Sequence, residues 1–305
     1  MRTVIITGAN SGLGYETALK VAAVGTGKQG TAYAPQPTVL QTPDSEPFKV
    51  ILACRNAQKA EAARERIIAQ TGNPNVETLP IDTSSLSSVR AAADRIIASG
   101  EKVYALVNNA GISAMGNSGT TPEGFELVFA TNYLGHFLLT RLLLPHMADD
   151  GRILNISSDM HNPPGGLSWP GAEALAHPAS EDRRRYSYSK LCMLYFTYFL
   201  SGKLLEEGNG ITVNAFNPGF MADTNFSKGG GKLRELAVKT TMPDRYGKLE
   251  TSSDALSLLV TDPAFGSVSG KYFDRSTSIA PSSELSYDKN NAAELWSKSL
   301  EFVRE

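Results

Sequence analysis

Apolar residues fall along this chain in short unbroken runs instead of strict alternation. The stretches 3–7 "TVIIT", 49–53 "KVILA", 76–80 "VETLP", 103–108 "VYALVN", 152–157 "RILNIS" and 211–216 "ITVNAF" are rich in β-branched and aliphatic residues, with helical patterning between them. Runs that are apolar on successive positions belong to strands covered on both faces, and strand–helix–strand alternation makes the sheet parallel. Right-handed crossovers then lead to an α/β doubly wound architecture.

The expectation is a Rossmann-type parallel sheet of about seven strands flanked by helices. The whole chain, 1–305, forms a single dinucleotide-binding and catalytic domain in this reading. Three segments depart from the repeat. Residues 28–47, "KQGTAYAPQPTVLQTPDSEP", read as an extra surface loop between the first helix and the second strand. Residues 159–185 read as a flap and 220–248 as a substrate loop, with "GGG" at 229–231 as its hinge. Both follow strands at their carboxyl ends, where open α/β sheets bind ligands.

Composition narrows the function. With 41% hydrophobic residues in 305, the chain can bury a substantial core. A formal net charge of -2 leaves no global field to attract nucleic acid. Two cysteines, Cys54 and Cys192, give neither a disulfide framework nor a metal spacing, and a reducing, cytoplasmic setting is expected. No apolar run approaches the ~18 to 20 residues of a membrane span, so none is expected.

After the first strand comes "TGANSGLG", in which Gly8, Asn10, Ser11, Gly12, Leu13 and Gly14 lead into a helix. Glycines here let the backbone approach a pyrophosphate while the helix N-terminus supplies N–H donors. The second strand ends "LACRN" without the carboxylate that would accept hydrogen bonds from an adenosine ribose; Arg55 instead offers a planar fork for a 2′-phosphate. NADP(H) is the expected cofactor, and no metal is expected.

Two tyrosines compete in "RRRYSYSK". Tyr186 has Lys190 four residues on, which places phenol and ammonium on one helix face, whereas Tyr188 has Cys192 at that offset. Ser158 closes the fifth strand in "NISS", and Asn132 lies in "TNYLGHF" on the preceding helix. Ser157 points to the other side of its strand and reads as structural. "NNAG", from Asn108 to Gly111, ends the fourth strand at the same edge.

With "TGANSGLG", "NNAG", "NISS", "YSYSK" and "NPG" in order, the chain resembles the short-chain dehydrogenase/reductases over about residues 3–275. The resemblance implies that Tyr186 is the general acid/base, that Lys190 holds the nicotinamide ribose and lowers the tyrosine pKa, that Ser158 hydrogen-bonds the carbonyl and that Asn132 supports a proton relay. It also implies cofactor contacts from Asp82, Thr83, Asn109, Ala110, Gly111, Pro218 and Gly219. That family commonly has Thr four residues after the glycine of "NPG"; Asp223 stands there, with Thr224 next as the substitute. "ACRN", "TNYLGHFLLTRLLLP" and "TDPAFGSVSGKYF" look most like the retinol-dehydrogenase-like and light-dependent protochlorophyllide-reductase-like members.

That likeness implies interconversion of a lipophilic aldehyde or ketone and its alcohol. Reduction of a conjugated C=C bond is the alternative, disfavoured because Phe220 stands where the photochemical reductases have cysteine; a non-catalytic NADP(H) sensor is the other. Among the remaining residues, His136 reads as buried and hydrogen-bonded, His161 and His177 as solvated loop residues, and "RRR" at 183–185 as a solvated loop. The aromatics Tyr195, Phe196, Tyr198 and Phe199 surround the Tyr186 helix and imply burial on two sides, within the core or at a homo-oligomer interface.

Overall fold

Each apolar run becomes a strand, and each strand feeds two cores at once. The computed structural model describes residues 1–26, 46–180, 182–221, 240–241 and 245–304. The strands are β1 (Thr3–Thr7), β2 (Lys49–Cys54), β3 (Val76–Pro80), β4 (Val103–Asn108), β5 (Met147–Ile156), β6 (Thr212–Asn217), β7 (Tyr272–Asp274) and β8 (Ile279–Ala280). They form an eight-stranded sheet in the order β3-β2-β1-β4-β5-β6-β7-β8. The pairs from β3 to β7 are parallel, and β8 adds an antiparallel edge on β7. The order reverses between β1 and β4, which makes that edge the topological switch point.

Successive side chains on a strand point to opposite faces, so one set builds each layer. Ile5, Ile51, Leu106, Ile153 and Val213 pack beneath α3 (Leu86–Ala98), α5 (Gly135–Leu143) and α7 (Arg185–Glu206). Val4, Ile6, Val50, Leu52 and Leu154 pack beneath α1 (Gly12–Ala23), α2 (Ala57–Thr71) and α8 (Leu249–Thr261). A short α4 (Leu127–Phe129) runs through a π-helical turn, Ala130–Leu134, into α5, and a short α6 (Ala172–Ala176) precedes α7.

Local chemistry sets the helix ends. Asn56 caps α2 by accepting the Lys59 N–H at 2.8 Å, and Gly72 ends it in the left-handed region. Asp288 caps α9 (Lys289–Phe302) by accepting from Asn290 and Asn291. Gly135 serves close packing instead, because a Cβ there would lie 2.0 Å from the Thr83 carbonyl and only glycine lets α5 lean on the loop after β3.

Two expectations change, and the α7 aromatics find cover within the chain. The sheet gains the two-residue β8, too short to show in a sequence pattern. The helical stretch Leu127–His146 is long and apolar enough to cross a membrane, contrary to the expectation that no run approaches that length; 78% of it is buried inside this fold, as in a core helix. The aromatic surplus on α7 faces α9, where Trp296 stacks on Phe199 at 4.9 Å and meets Phe137 and Phe196 edge-on or tilted. Residues 28–45 of the extra loop, and 222–239 and 242–244 of the substrate loop, lie outside the described residues.

Candidate active site

The carboxyl ends of β1, β4, β5 and β6 gather the chemistry. After β1, Gly8 and Gly12 adopt φ of 68° and 57°. A Cβ on Gly14 would stand 2.6 Å from Asn109 Nδ2, so the loop closes directly onto "NNAG". Asn109 Nδ2 donates to the Thr7 carbonyl at 2.7 Å. Ser11 stands at the N-cap of α1 without a side-chain capping bond, and the first turn carries no acidic residue. The first N–H groups of α1 therefore keep their donor capacity toward a pyrophosphate, and the residues present fit a dinucleotide. Asn10 and Ser11 are half-buried and Leu13 is buried beneath them.

Arg55 follows β2 with its side chain 76% exposed, and its guanidinium comes within 3.9 Å of Asp82. Asp82 is held in turn by the Ser84 N–H and hydroxyl at 3.0 and 2.6 Å. Thr83 is buried under Gly135. At the end of β6, Gly219 takes φ 74° and donates its N–H to Asn217 Oδ1, while Pro218 O accepts the Ser252 hydroxyl at 2.8 Å. Phe220 and Tyr246 pair across the mouth of the substrate loop. Thr224 and Asp223 lie outside the described residues.

Thr7 connects these pieces. Its hydroxyl accepts the Asn109 and Ala110 N–H groups at 2.8 and 2.9 Å and lies 3.0 Å from His136 Nε2. His136 Nδ1 is 3.1 Å from the Asn132 carbonyl, which can only accept, so Nδ1 carries the proton and Nε2 accepts from Thr7. Burial pushes this imidazole down to about 4. Asn132 sits in the π-helical turn, a distortion frequent at functional sites. Its side chain accepts from Ile112 N–H at 2.8 Å and donates to Ile112 O and to Ser189 Oγ. Gly111 passes between it and Lys190, a Cβ there being 3.3 Å from Asn132 Oδ1 and 3.8 Å from Lys190 Nζ.

Tyr186 and Lys190 begin α7. Lys190 is buried and donates to the Ile156 carbonyl at 2.8 Å, with its ammonium 5.7 Å from the Tyr186 ring centre. Desolvation pulls the ammonium down to about 8. Burial pushes the Tyr186 phenol above its ordinary value, a hydrogen bond with Ser158 draws it back, and the nearby Asp159 adds to the rise. Ser158 caps a 3₁₀ turn, Asp159–His161, accepting from Met160 N–H and donating to Asp159 Oδ1, both at 3.2 Å. Ser157 instead donates to Lys190 O at 2.9 Å and pins the helix, as its strand position implies.

Several side chains carry roles that the sequence pattern does not announce. His161, expected to be solvated, is buried, with both ring nitrogens engaged. Arg185, expected in a solvated triplet with Arg183 and Arg184, donates to Ala114 O and Asn117 O at 2.7 and 2.8 Å and approaches buried Glu126 at 3.4 Å. It ties the loop after "NNAG" to the residue before Tyr186. Glu294 on α9 accepts from Trp169 Nε1 and from Ala172 N–H, so the flap hangs on the C-terminal helix. Apart from the Ser158 carbonyl beside His161, these partners are distant in sequence, and no local signal marks them. The glycine loop, the "LACRN" ending, the serine at the end of β5 and the Tyr–Lys spacing were local enough to read. No cluster of metal-binding side chains exists among the described residues.

The family model described as short chain dehydrogenase matches residues 37–168. The chain is 35% identical over 99% of its length, and 84% of the relative's, to human "Retinol dehydrogenase 13". It is 31% identical over 99% of its length to "Short-chain dehydrogenase TIC 32 B, chloroplastic" of Brassica napus, covering 88% of that protein. Among solved structures, an uncharacterised protein from Mycobacterium paratuberculosis superposes with a TM-score of 0.66 at 29% identity, over 99% of this chain and 93% of the other.

Proposed function

We propose that this chain, which belongs to the short-chain dehydrogenase family and is retinol-dehydrogenase-like, is an NADPH-dependent oxidoreductase that interconverts a lipophilic aldehyde or ketone and its alcohol. The observation that carries this reading is the convergence of Ser158, Tyr186 and Lys190 beside a glycine loop with open N–H groups at the switch point of the sheet. NADPH along that loop would supply hydride to the carbonyl carbon. Tyr186, already hydrogen-bonded to Ser158, gives its phenolic proton to the carbonyl oxygen as that oxygen gains charge. Ser158 turns its hydroxyl from Asp159 toward the same oxygen and stabilises the developing negative charge. Lys190, cationic below about 8, holds positive charge on the Tyr186 face of α7 and favours phenolate once the proton has left.

Arg55 and the absence of a carboxylate at the end of β2 support NADPH over NADH. The Tyr186→Phe variant, assayed for NADPH oxidation in the dark with a panel of lipophilic aldehydes and ketones, should lose turnover while binding NADPH as tightly as the parent. Turnover that survives in the variant would remove Tyr186 as the acid. Arg55→Ala should weaken NADPH at least about tenfold more than NADH, the worth of one charge-assisted contact; equal losses would sink the cofactor assignment.

A further inference from the structure

His161 is a buried titratable group beside this chemistry that the mechanism leaves unused. It ends the 3₁₀ turn capped by Ser158, and it grips the Ser158 carbonyl twice, with its own backbone N–H at 3.0 Å and with Nδ1 at 2.6 Å. A carbonyl can only accept, so Nδ1 carries the proton and Nε2 is the acceptor. Nε2 takes the Ser283 N–H at 3.0 Å, and the ring stands edge-on to Tyr272 at 5.3 Å.

Ser283 belongs to a segment anchored on the catalytic helix. Tyr198 of α7 shares a 2.7 Å hydrogen bond with Ser282, and Tyr195 of α7 donates to Leu285 O at 2.9 Å. A closed circuit therefore runs from Ser158 through His161 and Ser283 to α7, which carries Tyr186. We propose that His161, as the neutral Nδ1–H tautomer, is a positioning residue that indexes Ser158 to Tyr186 through the 281–287 segment. This rests on the carbonyl-reductase reading for the roles of Ser158 and Tyr186, and adds to it a residue that touches no reactant.

Protonation would put an N–H on Nε2 facing the Ser283 N–H, and the circuit would open there. The charged groups around the ring are Asp159 on its own turn, Asp274 at the end of β7, and Arg245 before α8. The phenols of Tyr272 on β7 and, beyond it, Tyr198 on α7 complete the surround. The two carboxylates favour the cation and Arg245 opposes it, but burial is the largest influence and holds the imidazole below its ordinary value. The link is therefore intact above a pH of about 6.5 and is lost as pH falls through the lower folded value.

Ser283 has φ -66°, which proline adopts, so Ser283→Pro removes the N–H that serves His161 while respecting the local backbone. In the parent, kcat for carbonyl reduction should hold to below about pH 6.5 before it drops. Ser283→Pro should move that acid limb upward by about half a unit or more, because the neutral ring has lost its donor. His161→Phe should erase the limb and lower kcat about 10- to 100-fold with NADPH affinity unchanged, the cost of a misplaced catalytic group. NMR titration of the four histidines in the intact protein, with His161 assigned from the variant, reads tautomer and titration without any turnover. A His161 protonated on Nε2, or titrating at 6.5 or above in the parent, overturns the proposal. So does a folded His161→Phe protein with parental kcat. Absent turnover in the parent would count against the carbonyl-reductase reading, and the NMR arm would still decide the His161 link.

Discussion

At the scale of single residues, the site works by holding ionisable groups where little water reaches to stabilise their charges. Lys190 is desolvated so that its ammonium falls to about 8, which means the unfolded chain binds more protons between that value and its ordinary 10.5. Its burial therefore destabilises the fold at neutral pH and ceases to do so above 10.5. Lys190→Met should raise stability at pH 7 by about 1–3 kcal/mol in urea unfolding while activity disappears. A variant less stable than the parent would show that the Ile156 carbonyl depends on the ammonium more than the ammonium suffers from burial. Asp159 presents the opposite sign: its charge raises the Tyr186 phenol, so Asp159→Asn should move the alkaline limb of carbonyl reduction to lower pH by about half to one unit. Tyr186, Lys190 and Ser158 were legible in the sequence because their spacing and strand position are local. Asp159, His161 and Arg185 were not, because what makes each important is a partner brought in by the fold.

At the scale of elements, close approach decides more than propensity. The loop after β1, the "NNAG" turn and the π-helical turn at Asn132 are held together by Thr7 and His136, so glycine loop, nicotinamide end and α5 form one unit. Gly135 is the tightest joint in it. Gly135→Ala should cost about 1–3 kcal/mol or more of stability, since the new methyl meets backbone, and a loss below about 0.5 kcal/mol would show that α5 can move away from Thr83 freely. Five of the six strands read from the sequence lie within a residue or two of their runs because both-face burial makes apolar runs continuous, whereas β5 begins at Met147, five residues before its run, and β7 was not read as a run. The π-helical turn was not readable, since its cause is the side-chain and backbone geometry around Asn132 and no pattern of polarity announces it.

For the whole molecule, the C-terminal helix α9 covers the aromatic face of α7 that a partner subunit could otherwise occupy. Trp296 lies against Phe137, Phe196 and Phe199, and Tyr133 shares a 2.7 Å hydrogen bond with Ser299. Trp296→Ala should destabilise the protein by about 1–3 kcal/mol, less than a fully buried aromatic truncation because Trp296 is half-buried, and uncover an apolar patch. Light scattering should then report association of the variant where the parent does not associate through this face; a variant with the parent's mass and stability would show the contact to be dispensable. By itself, the sequence determined the sheet, the glycine loop, the missing carboxylate after β2 and the Tyr–Lys pair, because each depends on residues within a few positions of one another. Tertiary structure alone decided that α9 rather than a bare surface meets the α7 aromatics, that Glu294 holds the flap and that His161 joins Ser158 to the far edge of the sheet. Those contacts connect segments up to 125 residues apart, where hydrogen-bond geometry and burial, not local pattern, choose the partner.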